Sequence, residues 1–184
     1  METWEAIRTK RAIRDYDTRP VPDSVVRRVL DAGRRAGSAR NVQPWRFVLV
    51  REQARKKALS ECGRFAAHLA TAAFVVVICT DAGHRRWAGF DAGRAAQNMM
   101  LAAWDQGVGS CVVALHDEPR ARELLRVPAT YDIQVAIAFG YPSSKGEGRF
   151  QRFVRTKVLR VTGRKPLTEM VFEEEWGNPV HFEG

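Results

Sequence analysis

Apolar residues recur at helical spacing in two stretches, Val25, Val26, Val29, Leu30 and Ala95, Ala96, Met99, Met100, Ala103. Each set returns to one face of an α-helix, with Asp23 and Asp91 near plausible helix starts, so both helices are expected to face the core. The polar positions Asp91, Arg94, Gln97 and Asn98 then fall on a surface or subunit-interface side. Three runs read instead as strands, being short, β-branched and bounded by polar or turn residues: 46–50, 74–80 and 133–139. A weaker fourth covers 110–115. The predicted order is helix, strand, helix, strand, long helix, strand, helix, strand, then a basic connector and a tail, a mixed α/β layout.

Gly and Pro punctuate short connections, the most linker-like being 142–149, and no internal repeat interrupts the pattern. One domain over 1–184 is expected, with 163–184 as a C-terminal arm. That arm carries Leu167, Met170, Val171, Phe172, Trp176 and Phe182, too apolar for a solvated end. It must pack on a surface, either of its own domain or of a partner chain.

Composition narrows the partners only partly. The 184 residues are 45% hydrophobic, enough for one core, and 30 basic against 21 acidic side chains give a net charge of +9. That excess favours an anionic partner without choosing among phosphates, nucleic acid and membrane surface. Cys62, Cys79 and Cys111 are widely separated, with no C-x-x-C pair, which points to three reduced thiols. His84, His116 and His181 lack metal-ligand spacing, so no metal site is expected. The opening METWEAIRTKRAIR is charged throughout and no apolar run is long enough to span a bilayer, so a cytoplasmic protein is expected.

Two segments offer candidate chemistry. Lys10, Arg11 and Arg14 place three cations within five residues, after the short amphipathic segment 4–7. Guanidinium groups suit phosphate through charge-assisted, often bidentate hydrogen bonds, although a basic run also suits a solvated face. Further on, Ser38, Asn41 and Gln43 lie on a loop before the strand near Arg46, offering donors and acceptors for an amide-edged heterocycle. The same stretch can equally be a helix cap at Gly37 followed by polar turn residues before Pro44.

The motif K-R-A-I-R-D-Y, followed a helix later by S-A-R-N-V-Q-P-W-R-F, resembles the nitroreductase family of FMN enzymes. The similarity continues, in the family's order, through F-D-A-G-R-A-A-Q-N-M-M-L-A-A at 90–103, G-V-G-S at 107–110, G-Y-P at 140–142 and G-R-K-P-L at 163–167. The resemblance implies an α+β fold, a central mostly antiparallel sheet wrapped by helices, with the C-terminal segment exchanged in a homodimer. It implies an FMN phosphate held by Lys10, Arg11 and Arg14, with Ala12 where many members carry Ser, and with Arg164 and Lys165 matching a C-terminal cation. Ser38, Ala39 and Asn41 match a loop that contacts the flavin, generally from the other subunit, with Gln43 a further candidate at the ring edge. Ala114 and Leu115 fall where members present backbone N–H groups to the flavin N5 and O4 edge. His68 stands near a position where relatives place a cation by the flavin pyrimidine, although a lone His there also suits a satisfied core residue.

The activity implied is ping-pong transfer of reducing equivalents from NADH or NADPH to nitroaromatic, quinone or similar electron-poor molecules. Hydride chemistry belongs to the flavin, so no catalytic side chain is expected. A flavin-destroying oxygenase and a reductive dehalogenase share the architecture. From a different class, the cations Arg149, Arg152, Arg155, Lys157, Arg160, Arg164 and Lys165 with Phe150 and Phe153 suggest a nucleic-acid grip, or more simply a solvated amphipathic helix. Neither nucleic acid nor membrane is the expected partner.

Overall fold

The computed structural model describes residues 1–143 and 164–180. The chain divides into two compact units, Met1–Gly146 and Glu147–Gly184. The first contains α1 (Thr3–Thr9), α2 (Asp23–Arg34), β1 (Trp45–Val50), α3 (Gln53–Ser60), β2 (Phe74–Asp81), α4 (Arg85–Asp105), β3 (Gly109–Val113), α5 (Glu118–Leu125) and β4 (Tyr131–Gly140).

The four strands form one antiparallel sheet in the order β1-β2-β4-β3. β2 is central, and its run of β-branched residues is buried almost end to end because helices cover both sheet faces. Alternation divides it: Val75, Val77 and Cys79 pack with Leu59 of α3 and Ala121 and Leu125 of α5. Phe74, Val76 and Ile78 pack with Val26 and Val29 of α2 and with Ala95 and Met99 of α4. Burying a Leu or Phe contributes roughly 1.5–3 kcal/mol, so these two layers supply most of the cohesion.

The helix spacings predict α2 and the core face of α4, and the four β-branched runs predict the strands to within one or two residues at most ends. Two features differ. A short helix, α1, precedes α2, so two helices rather than one stand before β1. Asp91 lies well inside α4 rather than at its start, because the helix begins at Arg85 after the Asp81 carboxylate has capped a short turn through Gly83 N–H.

In the second unit, residues 167–169 make a 3₁₀ turn, and the Phe172 and Trp176 rings lie 4.7 Å apart. Trp176 is 92% exposed, with Leu167 and Met170 exposed as well. Phe182 and His181 lie outside the described residues, as does the cationic stretch Arg149, Arg152, Arg155, Lys157 and Arg160 with Phe150 and Phe153. Among the described residues no helix is long and apolar enough to cross a membrane, and no cluster of metal-ligating side chains occurs.

Candidate functional site

Strand β3 forms one edge of the sheet, and the segment carrying the N-terminal cations runs along it. Ala12 forms a parallel bridge with Ser110, and the Ile13 N–H donates to the Ser110 carbonyl at 3.0 Å. A Cβ at position 109 would come within 2.7 Å of the Ile13 side chain, so Gly109 permits this approach. The Tyr16 hydroxyl donates to the Ile13 carbonyl at 2.6 Å, and Asp17 N–H to the Tyr141 carbonyl, which staples the segment beyond Arg14. Arg11, Ala12 and Arg14 are thereby left exposed on a fixed backbone.

Lys10 is half-buried, with Nζ 3.4 Å from Met100 Sδ of α4. Burial lowers its proton affinity. Cys111 is buried beside this segment, where burial pushes its thiol up while the charges of Arg14 and Lys10 pull it down. The structure thus supplies Cys111 with the basic neighbours that its sequence context lacks. Three free, buried cysteines agree with reduced thiols.

His68 belongs to the same neighbourhood. It is buried, and its Nε2 has no hydrogen-bond partner among the described residues. Burial lowers its proton affinity most, nearby backbone of Cys111 acts the other way, and the Arg14 charge lowers it further. The sequence left His68 between a satisfied core residue and a ligand contact, and an orphaned ring nitrogen is not a satisfied one. Because the folded-state value lies below the unfolded one, the neutral ring contributes stability that is full above about pH 6.5 and lost as pH falls through the folded value. Thermal melts should therefore show a smaller fall in Tm between about pH 7 and pH 5 for His68→Asn than for the parent; identical falls would exclude this contribution.

The second segment is held from α4. Asp91, 2% exposed, accepts the Ala39 N–H at 3.1 Å. Its place on a surface or interface side is therefore corrected: the carboxylate is turned inward to anchor the loop. Within the loop, Ser38 Oγ accepts the Gln43 N–H at 2.9 Å and the Ser38 carbonyl accepts the Asn41 N–H at 3.0 Å. Gln43 Nε2 donates to Asn41 Oδ1 at 3.2 Å. Arg40, Asn41 and Gln43 all adopt φ between 50° and 56°. A left-handed non-glycine residue costs roughly 1–2 kcal/mol, so three in one loop mark a conformation imposed by its surroundings. Gly37 is not the cap of α2, whose C-cap is Arg35 with φ −82°. It lies instead where a Cβ would strike the Arg94 guanidinium, at 2.2 Å.

Ala114 and Leu115 directly follow β3. Ala114 is exposed and Leu115 buried, and outside the β3–β4 ladder neither N–H donates a hydrogen bond among the described residues. Lys10, Arg14, His68, Cys111 and the end of β3 are thus brought together at one sheet edge. The loop 38–43 is placed elsewhere along α4: Asp91 and Met100, the two helix residues that mark the segments, are about 14 Å apart along the axis. Arg164 and Lys165 are exposed in the second unit.

The fold and this edge define a class: an α+β protein with an antiparallel sheet between two helical layers and a cluster of cations at the sheet margin. The chain belongs to the Nitroreductase family, whose model matches residues 7–67 and 61–141. It is 30% identical over 174 residues to an NADH dehydrogenase of Thermus thermophilus, covering 74% of this chain and 85% of that one. Among solved structures, a Desulfovibrio desulfuricans chain in complex with FMN is 30% identical with a TM-score of 0.77, covering 96% of this chain and 99% of that one. An FMN-dependent nitroreductase of Clostridium difficile R20291 is 25% identical with a TM-score of 0.73, covering 84% and 96%. The fold is the nitroreductase fold.

Proposed function

We infer that this chain is an NAD(P)H-dependent oxidoreductase working through bound FMN, as a cytoplasmic homodimer with shared flavin sites. The observation that carries this is the cradle at the β3 edge, where Lys10 and Arg14 flank Cys111 in a chain of the Nitroreductase family. Its donor set fits a phosphorylated flavin: exposed guanidinium groups for the phosphate, N–H groups at Ala114 and Leu115 that outside the β3–β4 ladder donate no hydrogen bond among the described residues, and the His68 nitrogen without a partner there. FMN supplies hydride acceptance and release, which no side chain of this protein can. Lys10, Arg11 and Arg14 would hold the phosphate beside the backbone of Ala12 through charge-assisted hydrogen bonds. The partially buried setting of Lys10 excludes water and strengthens that effect.

Ser38, Ala39, Asn41 and Gln43 complete the flavin contacts from a second subunit, and Arg164 and Lys165 contribute to the phosphate. The separation of the loop from the cradle along α4 supports this division of labour, as do the exposed Leu167, Met170 and Trp176 of the arm. The chain acts as one functional domain over 1–184 with 163–184 as the arm. Its oxidants are nitroaromatic, quinone or similar electron-poor small molecules, reduced after NADH or NADPH has given up its hydride and left as NAD+ or NADP+ in a ping-pong cycle. The cations serve phosphate groups rather than nucleic acid. Anaerobic addition of NADH or NADPH to the FMN-loaded protein tests the reading.

A further inference from the structure

A recess apart from the β3 edge opens between segment 16–21, the start of α2, α3 and the turn leading into β2. Its volume is about 660 Å³, within the range of ~300–1,000 Å³ typical of ligand pockets. None of its lining residues belongs to the β3-edge cradle or to the loop 38–43.

Five charged residues line it, three cations and two carboxylates. Four of the charges are matched. Arg51 Nη2 meets Asp23 Oδ1 at 2.7 Å. Asp17 accepts the Arg19 N–H at 2.7 Å and lies 4.0 Å from its guanidinium, which also stacks 3.5 Å over the Tyr141 ring. Lys56 is the fifth and has no carboxylate partner among the described residues. It is 6% exposed, and among the described residues its Nζ donates one hydrogen bond, to the Ala72 carbonyl at 2.5 Å.

An ammonium group carries three donors, and buried charges are ordinarily paired. Among the described residues, two donors and one full charge of Lys56 are therefore unmatched in a recess large enough for a ligand. Tying α3 to Ala72 does not account for the charge, because a neutral donor would serve that purpose. Burial alone holds Lys56 below its ordinary proton affinity, as expected of an ammonium lacking a counter-ion. The remaining wall includes the half-buried Val21 and Ala73, which offers an apolar body more contact than a hydrated inorganic ion could use.

We propose that this recess is a ligand site for a small organic carboxylate, whose carboxylate pairs with Lys56 and whose apolar body lies along Val21 and Ala73. The site does not depend on the flavin reading.

Calorimetric titration of the FMN-loaded protein with benzoate, at constant ionic strength, tests it. Flavin loading keeps the cradle occupied, and any benzoate bound over the flavin is common to all variants. The parent should show a saturable component that Lys56→Met weakens roughly ten-fold or more, the loss expected for one charge-assisted contact. Val21→Trp narrows the recess along its apolar wall while leaving the Lys56 side chain in the sequence, and should weaken the same component at least ten-fold, which decides the matter even if Lys56→Met does not fold. Benzamide, the neutral isostere, should bind at least ten-fold more weakly than benzoate. A benzoate isotherm unchanged in Val21→Trp, or equal binding of benzamide, overturns the proposal. Inorganic phosphate matching benzoate in affinity and lost in the same variants overturns the organic body.

Discussion

Arg14→Ala is expected to weaken FMN binding roughly ten- to a hundred-fold while leaving riboflavin binding close to that of the parent. The difference arises because only FMN has a phosphate, and a charge-assisted contact to an ionised group contributes about 1.5–3 kcal/mol. Arg14 is suited to this role by its backbone. Ile13 is hydrogen-bonded to Ser110 and Tyr16 is stapled to Ile13, so the guanidinium projects from a fixed base rather than from a solvated helix. Fluorescence titration of both flavins against both proteins reads the result. Equal weakening of FMN and riboflavin would move Arg14 from the phosphate to another part of the ligand.

Truncation after Gly163 is expected to abolish dimer and FMN occupancy together. It removes Arg164, Lys165 and an arm whose Leu167, Met170 and Trp176 are exposed in the single chain, too much apolar surface to leave in water. Obligate dimers often have no stable folded monomer, so aggregation of the truncated chain is the expected appearance. Full-length subunits separate the shared site from mere instability. Arg14→Ala damages the cradle and Asn41→Ala damages the loop, and if the loop acts across the interface, a mixed dimer holds one intact site. Mixing the two variants in equal amounts should restore about a quarter of the parental flavin occupancy after random subunit exchange, since half of the dimers are mixed and each holds one intact site of two. A monomer retaining full occupancy, or no restoration despite demonstrated exchange, would count against the shared site.

The parts of the fold that sequence made legible are those where local pattern and tertiary role agree. β2 reads as a strand because its β-branched run is compatible with burial on both faces, and α2 because Val26 and Val29 recur at one helical face. Asp91 misleads for the opposite reason. Acidic residues favour first turns, and nothing local announces that this carboxylate accepts an N–H from a loop distant in sequence. The left-handed Arg40, Asn41 and Gln43 were equally hidden, since Gly usually signals such backbone. The positions of the cradle residues follow a similar rule: their cationic character was visible at Lys10, Arg11 and Arg14, but their register along β3 was not. That register brings Cys111 and His68 into the neighbourhood, and it is set by Gly109 and Ser110 from the far side of the chain.

The central claim, bound FMN reducible by a nicotinamide nucleotide, is tested most directly by an anaerobic absorbance titration. The protein is saturated with FMN, freed of excess by gel filtration and mixed with NADH or NADPH under argon. The account predicts one FMN per chain retained through the column, and loss of its visible absorbance on adding about one equivalent of nucleotide, with return of the colour on adding a quinone. A folded protein that leaves the column colourless, or one whose bound flavin stays oxidised with both nucleotides, would contradict it.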